Sequence, residues 1–222
     1  MNVQWGEAER LLSEAESGAC QFVDFQFTDV AGALKSVVLP ASQLRETLEF
    51  GHWFDGSALE GAARTMETDL LLRPDLRTWG ILPWPGPRGE LTGRMLCDVQ
   101  TPEGAPFPAD PRAVLHRAVL DAAELGFAYQ VASEVEFFLF RSPIPADDGP
   151  RGASPTPAHP VDRGGYFDQP VQEDSRVRDE VVQVLMALGV PVEASHHEIG
   201  PGQQEIDLPL LTAVAAADAI VT

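Results

Sequence analysis

The sequence predicts an α+β protein with a small N-terminal domain over residues 1–105 and a second α+β region over residues 106–222. Three observations support this prediction. The first part alternates short strand-like segments with two helical patterns, and Pro- and Gly-rich turns separate them. Residues 101–110 (TPEGAPFPAD) have the composition of a connector between domains. Beyond them, strand, helix and strand patterns follow one another and indicate one further sheet.

The elements of the first domain follow from periodicity and turn residues. Apolar residues at helical spacing run from Trp5 to Ala15, and Gly18 ends that helix. Ser42 can cap a second, short helix that Gly51 ends. Short apolar runs between turns predict strands at 20–27, 34–39, 70–72, 80–82 and 94–99.

Two helices with both a start and a stop signal are predicted in the second region. Asp110 caps the first, and Pro111 stands at its first position, where a missing N–H group does no harm. Asp174 caps the other, and a glycine ends each of them. Between these helices, residues 143–160 are rich in Pro, Gly, Ala and Asp, which predicts a mobile surface loop.

Residues 129–140 (YQVASEVEFFLF) are rich in aromatic and β-branched residues and predict a buried strand. Side chains two positions apart on a strand share a face, so Glu134 and Glu136 point the same way. Neighbouring carboxylates repel each other and are costly to desolvate, unless the strand end is exposed or a cation such as Mg²⁺ or Mn²⁺ collects them. This pair alone leaves a half-exposed strand with two solvated acids as the alternative.

A second acidic pair lies in residues 195–206 (SHHEIGPGQQEI), where Gly-Pro-Gly predicts the turn of a hairpin. With Pro201 and Gly202 at the tip, Glu198 would face Glu205. Like charges directly opposite destabilise a hairpin unless a cation bridges them. The two strand-borne pairs together therefore favour a divalent metal site.

Two adjacent histidines, His196 and His197, lie in the same motif. Neighbouring residues of a strand point to opposite faces, so both side chains cannot bind one ion. At least one of them is predicted to be packed or hydrogen-bonded.

Three motifs follow one another in a family-specific order: FDGSA at 54–58, SEVEFFLF at 133–140 and VEASHHEIGPGQQEID at 192–207. In this order they resemble the type I glutamine synthetase family, and the resemblance covers nearly the whole chain. It implies that residues 1–105 form a β-grasp domain and that residues 106–222 form the first part of a catalytic domain. The final helical pattern, which Thr212 caps, ends without Gly, Pro or a cationic turn, so we expect a truncated chain.

The resemblance implies the chemistry of an ATP-dependent glutamate–ammonia ligase. In that family ATP phosphorylates the γ-carboxylate of L-glutamate, and ammonia then displaces phosphate from γ-glutamyl phosphate to give L-glutamine. Divalent cations, Mg²⁺ or Mn²⁺ and two or more in a complete site, neutralise the phosphates. By motif match, Glu136, Glu198 and Glu205 resemble the ligands of the first metal. Glu134 resembles a ligand of the second, nucleotide-linked metal.

Further site residues rest on the same resemblance. Glu193 matches a residue that lines the nucleotide site, and Tyr166 matches, together with Glu198, the ammonium pocket. Asp55 matches a catalytic aspartate that reaches the neighbouring subunit and helps to bind and deprotonate ammonium. Asp-Gly-Ser is also a common turn, which is the structural alternative for Asp55. Ala58 stands where the family motif has its second serine, which leaves room for an amine other than ammonia.

Composition limits the partners and the compartment. The chain has 34 acidic residues against 15 Lys and Arg and a formal net charge of -19, which disfavours nucleic acid and anionic membranes. Cys20 and Cys97 form no disulfide framework, and no signal peptide or membrane-spanning run is present, so a cytoplasmic protein is predicted. The resemblance implies glutamate, ammonium, ATP and further copies of the chain as partners, in rings with sites at subunit interfaces. A family ligase for another amine and a non-catalytic truncated member acting as an interaction module are the alternatives.

Overall fold

The structure, a computed structural model, describes residues 5–59, 69–141, 159–168 and 175–222. The helices are α1 (Trp5–Ser17), α2 (Leu44–Phe50), α3 (Pro111–Glu124), α4 (Arg176–Ala187) and α5 (Ala213–Val221). The strands are β1 (Cys20–Thr28), β2 (Leu34–Pro40), β3 (His52–Asp55), β4 (Asp69–Pro74), β5 (Gly80–Ile81), β6 (Leu91–Gln100), β7 (Gln130–Phe138), β8 (Ala194–His197) and β9 (Gln203–Thr212). None of the helices in the described residues is long and apolar enough to cross a membrane.

The chain divides into two compact units. The first unit comprises Met1–Val131, Ala187–Gly189 and Thr212–Thr222, and the second comprises Ala132–Met186 and Val190–Leu211. The first unit contains a six-stranded sheet in the order β2-β1-β6-β4-β3, with β5 beside β6. The strand β1 runs parallel to β6, whereas the other pairs are antiparallel. The predicted α+β class is confirmed, and β3 is an additional strand that four residues are too few to reveal by periodicity.

One face of this sheet packs against α1 and α2 to form the hydrophobic core. Alternate residues of β1 point into it, and α1 contributes residues three and four positions apart. Burial of each large apolar side chain contributes roughly 1.5–3 kcal/mol. The buried members are Ala8, Leu11, Ala15, Val23, Phe25, Phe27, Leu44, Leu48, Leu70, Leu72, Met95, Cys97 and Val99.

The predicted helix caps have different outcomes. The prediction for Asp110 is confirmed, because its carboxylate accepts a hydrogen bond from the backbone N–H of Arg112 at 3.0 Å. The prediction for Ser42 is wrong: this residue lies inside a 3₁₀ turn, Ala41–Gln43, which runs directly into α2, and the backbone N–H of Leu44 donates to the carbonyl of Ala41. Thr212 stands at the N-cap position of α5 but makes no side-chain cap hydrogen bond.

The other face of the sheet carries a buried ionic cluster around Arg112 of α3. Its guanidinium binds Asp75 at 2.6 Å, Asp218 of α5 at 2.9 Å and also Asp98 of β6. Burial acts to raise the pKa of Asp75, but hydrogen bonds from Arg77 and Arg112 outweigh it and lower the pKa to about 2. One cation therefore joins two helices to the sheet through three carboxylates.

The second unit contains α4 and a three-stranded sheet in the order β7-β9-β8. No residue of β7 is buried, so the prediction of a buried strand is wrong: one face is half-buried and the other is exposed. That face is open to solvent in the described part of the chain, and Glu134 and Glu136 point from it. The helix predicted after the loop corresponds to α4, but residues 143–158 and the predicted cap Asp174 lie outside the described residues.

The hairpin of β8 and β9 is present, but the predicted register is wrong by two residues. His196 rather than Glu198 lies opposite Glu205, and the backbone N–H of Glu198 donates to the carbonyl of Gln203 at 2.9 Å. Pro201 and a glycine with φ of 71° stand at the centre of the turn, which is the type II pattern. A type II turn splays the strands of a two-residue hairpin, so the chain closes with a four-residue loop instead. A shift of two leaves every side chain on its predicted face.

Candidate functional site

The candidate site occupies one face of the β7-β9-β8 sheet. Gln203 donates a hydrogen bond from Nε2 to Oε2 of Glu136 at 2.5 Å, which links β9 to β7 on this face. Strand alternation places Glu205 on the same face, and His196 of β8 lies opposite it. We call this surface the acidic face; its members are Glu134, Glu136, His196, Glu198, Gln203, Glu205 and Asp207.

The imidazole of His196 lies among three carboxylates. Its Nδ1 is 3.6 Å from Oε1 of Glu198, and its Nε2 is 3.8 Å from Oε2 of Glu205 and 3.6 Å from Oδ2 of Asp207. Potential ligand atoms of His196, Glu205 and Asp207 all lie within 4.8 Å of one another. The sequence prediction included neither His196 nor Asp207 among the ligands, although each lies two residues from a predicted one and so shares its face.

Electrostatic repulsion is concentrated on Glu205. Burial, a hydrogen bond with Glu198 and the charge of Asp207 together raise the pKa of Glu205 to about 7, while His196 opposes the shift. The side chain of Glu205 is only 9% exposed, so water can do little to separate these charges. A shared proton or a bound cation between Glu198 and Glu205 would relieve this repulsion.

These residues fit a hard divalent cation. Mg²⁺ and Mn²⁺ prefer carboxylate oxygens as ligands. Glu198, Glu205 and Asp207 offer the oxygens, and His196 offers a nitrogen. A cation held by Glu198 and Glu205 would relieve the repulsion that raises the pKa of Glu205.

The remaining predicted metal and nucleotide residues occupy different places. Glu136 reaches the hairpin through Gln203, whereas Glu134 lies two residues earlier on the same exposed face of β7. Glu193 is exposed and lies just before β8, where its backbone N–H donates to the carbonyl of Asp207 at 2.8 Å. No polar contact within the described residues links the side chain of Glu193 to the carboxylate cluster.

Two aromatic residues cover one side of His196. The ring of Tyr166 meets the imidazole edge-on at 5.6 Å between centroids, and the ring of Phe167 does so at 4.8 Å. Phe167 adopts a positive φ of 60°, which is uncommon outside glycine, and its backbone N–H donates to the carbonyl of His197 at 3.2 Å. The structure thus brings Tyr166, a predicted ammonium-pocket residue, to the acidic face.

A buried polar layer lies beneath the acidic face, on the side of the sheet that faces α4. His197 and Gln204 are paired across β8 and β9 and are almost fully buried. The guanidinium of Arg178 in α4 donates to Oε1 of Gln204 at 2.7 Å, and His197 binds the carboxylate of Asp162 at 2.9 Å. His196 and His197 therefore point to opposite faces, as strand alternation predicts.

Asp55, the predicted catalytic aspartate, lies in the first unit. It is the last residue of β3 and is exposed, and its Oδ1 accepts a hydrogen bond from the backbone N–H of Ser57 at 2.9 Å. Hydrogen bonds from Ser57 hold the pKa of Asp55 below its usual value. An exposed strand end suits a residue that serves a neighbouring subunit, and the local hydrogen bond also suits a structural turn aspartate.

Comparisons with known proteins give concordant matches. The family model described as the catalytic domain of glutamine synthetase matches residues 108–222, and the model described as its beta-grasp domain matches residues 19–102. Glutamine synthetase of Mycolicibacterium smegmatis is 43% identical over 218 residues, which are 97% of this chain and 47% of that protein. The chain thus spans about half the length of this relative.

Solved structures give the same result for the fold. A GmaS/ADP complex is similar with a TM-score of 0.75 and 28% identity, over 95% of this chain and 47% of that one. Plasmodium falciparum glutamine synthetase, solved by cryo-electron microscopy, has a TM-score of 0.79 at 17% identity, over 96% of this chain and 46% of that one. At that identity the second likeness concerns the fold alone.

Proposed function

This chain belongs to the glutamine synthetase family, and on that premise we propose that its acidic face serves the ATP-dependent ligation of ammonia to L-glutamate. In this reaction the γ-phosphoryl group of ATP passes to the γ-carboxylate of glutamate. Ammonia then attacks the carbonyl carbon of γ-glutamyl phosphate, the C–O bond to phosphate breaks, and glutamine is released. The chain contributes part of the site that this chemistry needs.

One observation carries the proposal: the carboxylates of Glu198, Glu205 and Asp207 converge on His196 in a setting that raises the pKa of Glu205 to about 7. A divalent cation, Mg²⁺ or Mn²⁺, would supply the positive charge that neutralises phosphate oxygens and the transferring group. Glu198 and Glu205 would hold it, with Glu136 at the edge of the same face as the third family-matched ligand. Glu134 is proposed as a ligand of the second, nucleotide-linked cation.

The nucleotide part of the proposal rests on relatives. GmaS, which is 28% identical to this chain, was solved as a complex with ADP. Because ADP is the product that ATP leaves after phosphoryl transfer, we propose ATP as the co-substrate of this chain. We also propose Glu193 as a residue that lines the nucleotide. Its exposed side chain just before β8 is free to meet a ligand.

The ammonium part of the proposal would draw on residues of two neighbouring subunits. Tyr166 and Glu198, which both contact His196, would form an aromatic and anionic pocket that favours NH₄⁺. Asp55 would deprotonate ammonium as a general base, in a site shared with a neighbouring subunit. We therefore propose a cytoplasmic homo-oligomer, a ring with sites at its subunit interfaces.

A ligase of the same family that acts on another amine is the second candidate. It is favoured by Ala58, which replaces the second serine of the family motif and removes a hydroxyl from the loop that follows Asp55. Glutamate and ATP would be used identically, and only the nucleophile would differ.

The metal site can be tested on this chain with Mn²⁺, whose binding is followed by electron paramagnetic resonance. Glu205→Gln removes a carboxylate charge without changing shape, and we expect Mn²⁺ affinity to fall at least 10-fold. Glu180→Gln is the matched control, because Glu180 is an exposed acid of α4 whose partner is Arg176 on the same helix. Equal Mn²⁺ affinity in both variants and in the unchanged chain would contradict the metal site.

The nucleophile can be tested in an assembly that includes a complete catalytic domain. Such an assembly is given ATP and L-glutamate with ammonium or with methylamine, and mass spectrometry identifies the product. We expect glutamine with ammonium. Preferential formation of the methylamide would favour the second candidate, and neither product with intact Mn²⁺ binding would contradict both ligase proposals.

A further inference from the structure

We propose that Asp162 is a positioning residue of the metal site, which acts through His197 on Glu198. The inference rests on the proposed function, since it concerns how the acidic face is held in place to receive a divalent cation. Nothing in the family motifs points to Asp162, which lies outside all three of them. The role is inferred from the three hydrogen-bond donors, from different parts of the site, that one carboxylate oxygen of Asp162 binds.

Oδ1 of Asp162 accepts three hydrogen bonds. One comes from Nε2 of His197 at 2.9 Å, one from the backbone N–H of Gly202 at 2.8 Å and one from the backbone N–H of Gly164 at 3.2 Å. These donors belong to β8, to the hairpin tip and to the segment 159–168 that carries Tyr166. A single carboxylate therefore joins three separate parts of the site.

His197 transmits this contact to the acidic face. Its side chain is 2% exposed, and its Nδ1 donates to the backbone carbonyl of Glu198 at 2.6 Å. Carboxylate and carbonyl oxygens only accept hydrogen bonds, so both ring nitrogens act as donors and the ring orientation is fixed. The peptide of Glu198 is also held by its N–H bond to Gln203 at 2.9 Å. Both backbone groups of Glu198 are thus held in place, which fixes the point from which its side chain extends.

The hairpin tip leaves little room for another arrangement. A Cβ atom on Gly202 would lie 2.6 Å from the carbonyl oxygen of Leu139, and one on Gly164 would lie 3.0 Å from Nε2 of His197. The carbonyl of Gly202 accepts from the backbone N–H of Leu139 at 2.8 Å, so the tip is joined to the end of β7 as well. Close packing of backbone around Asp162 makes it the centre of a rigid support for the acidic face.

Asp162→Asn tests this inference, because it removes the charge and nearly preserves the shape. We expect Mn²⁺ affinity of the chain to fall about 10–100-fold, the usual effect of losing an outer support of a metal ligand. Asp168→Asn is the matched control: Asp168 lies on the same segment, but its Oδ2 accepts only from Gly165 within the described contacts. This control should bind Mn²⁺ within about 2-fold of the unchanged chain.

A double variant separates a positioning role from general destabilisation. If Asp162 acts through His197, combining Asp162→Asn with His197→Gln should cost no more Mn²⁺ affinity than His197→Gln alone. Hydrogen exchange supplies a readout that needs no metal: the amides of Gly202 and Phe167 should be protected in the unchanged chain and should exchange faster in Asp162→Asn. Circular dichroism well below the melting temperature identifies variants that have not folded.

The outcomes distinguish this inference from the proposed function. Absence of Mn²⁺ binding in the unchanged chain, with Glu205→Gln behaving identically, would overturn the metal site, and the exchange data would then decide whether Asp162 supports the hairpin. Unchanged Mn²⁺ affinity and unchanged exchange at Gly202 in folded Asp162→Asn would overturn the positioning role. Should Asp162→Asn fail to fold, weak protection of the Gly202 amide in the unchanged chain would do the same.

Discussion

Replacement of Arg112 by methionine tests whether the buried ionic cluster holds the first unit together. The guanidinium is 8% exposed and binds three carboxylates, those of Asp75, Asp98 and Asp218. Methionine fills similar space without charge, so the change leaves three acids facing one another without their cation. We expect the first unit to lose a large part of its stability.

The structure sets the size of the effect. Removing one partner of a buried ion pair costs about 3–5 kcal/mol, because the remaining charge is left uncompensated. Asp98 is 29% exposed and can regain water, whereas Asp75 at 10% and Asp218 at 16% have less access. A loss of about 4 kcal/mol is therefore reasonable, and with a urea slope of about 2 kcal/mol/M it moves the unfolding midpoint by about 2 M.

Tryptophan fluorescence during urea unfolding is the assay. All four tryptophans, Trp5, Trp53, Trp79 and Trp84, lie in the first unit, so the signal reports that unit alone. Arg117→Met is the control, because Arg117 lies on the same helix and is exposed. A shift in Arg112→Met no larger than that of the control would refute the importance of the cluster.

Three further predictions concern pH, metal and subunit sharing. The pKa of Asp75 is lowered from 3.8 to about 2, so its ionisation adds about 2 kcal/mol to the free energy of unfolding. This contribution is present above pH about 4 and is lost as the pH falls through about 2. Urea unfolding of Asp75→Asn should lack this pH dependence. Because the pKa of Glu205 is about 7, protons compete with Mn²⁺ for its carboxylate. The affinity for Mn²⁺ should therefore fall about 10-fold for each pH unit below 7 and level off above pH 7. In Glu205→Gln, electron paramagnetic resonance should show an Mn²⁺ affinity that depends less on pH. In an assembly with a complete catalytic domain, Asp55→Ala should lower turnover about 10²–10⁴-fold, and mixing it with Glu136→Gln subunits should restore activity; no recovery after confirmed subunit exchange would contradict a shared site.

Local sequence patterns predicted most elements of the first unit because those elements depend on neighbouring residues. Helix α1 follows the predicted apolar spacing, and β1 and β2 begin at the predicted residues, Cys20 and Leu34. Strand β6 is longer than predicted. Its first residues, Leu91 to Gly93, have no strand-like pattern in the sequence, but they pair with β1 and β5. Pairing with neighbouring strands therefore set the length of β6, which periodicity alone did not predict.

The features that sequence did not predict depend on tertiary contacts or on turn geometry. Arg112 meets partners 14, 37 and 106 residues away, and no local pattern relates them. The hairpin register was missed because Pro201 and Gly202 were expected to form the whole loop, whereas their type II geometry requires a longer one. Strand alternation nevertheless placed Glu198 and Glu205 on one face, and that inference depended only on spacing.

The strand order of the first sheet has a consequence for how the chain folds as it is synthesised. β1 and β2 pair with each other, as do β3 and β4, but β6 lies between these two pairs and joins them. Until Leu91–Gln100 leaves the ribosome, the inner edges of β1 and β4 have unpaired backbone groups that can recruit strands from other chains. Pairing of β1 with β6 also closes a loop of some seventy residues, which is slow compared with forming a hairpin. Nascent chains that pause before β6 is synthesised should therefore be the most prone to aggregate.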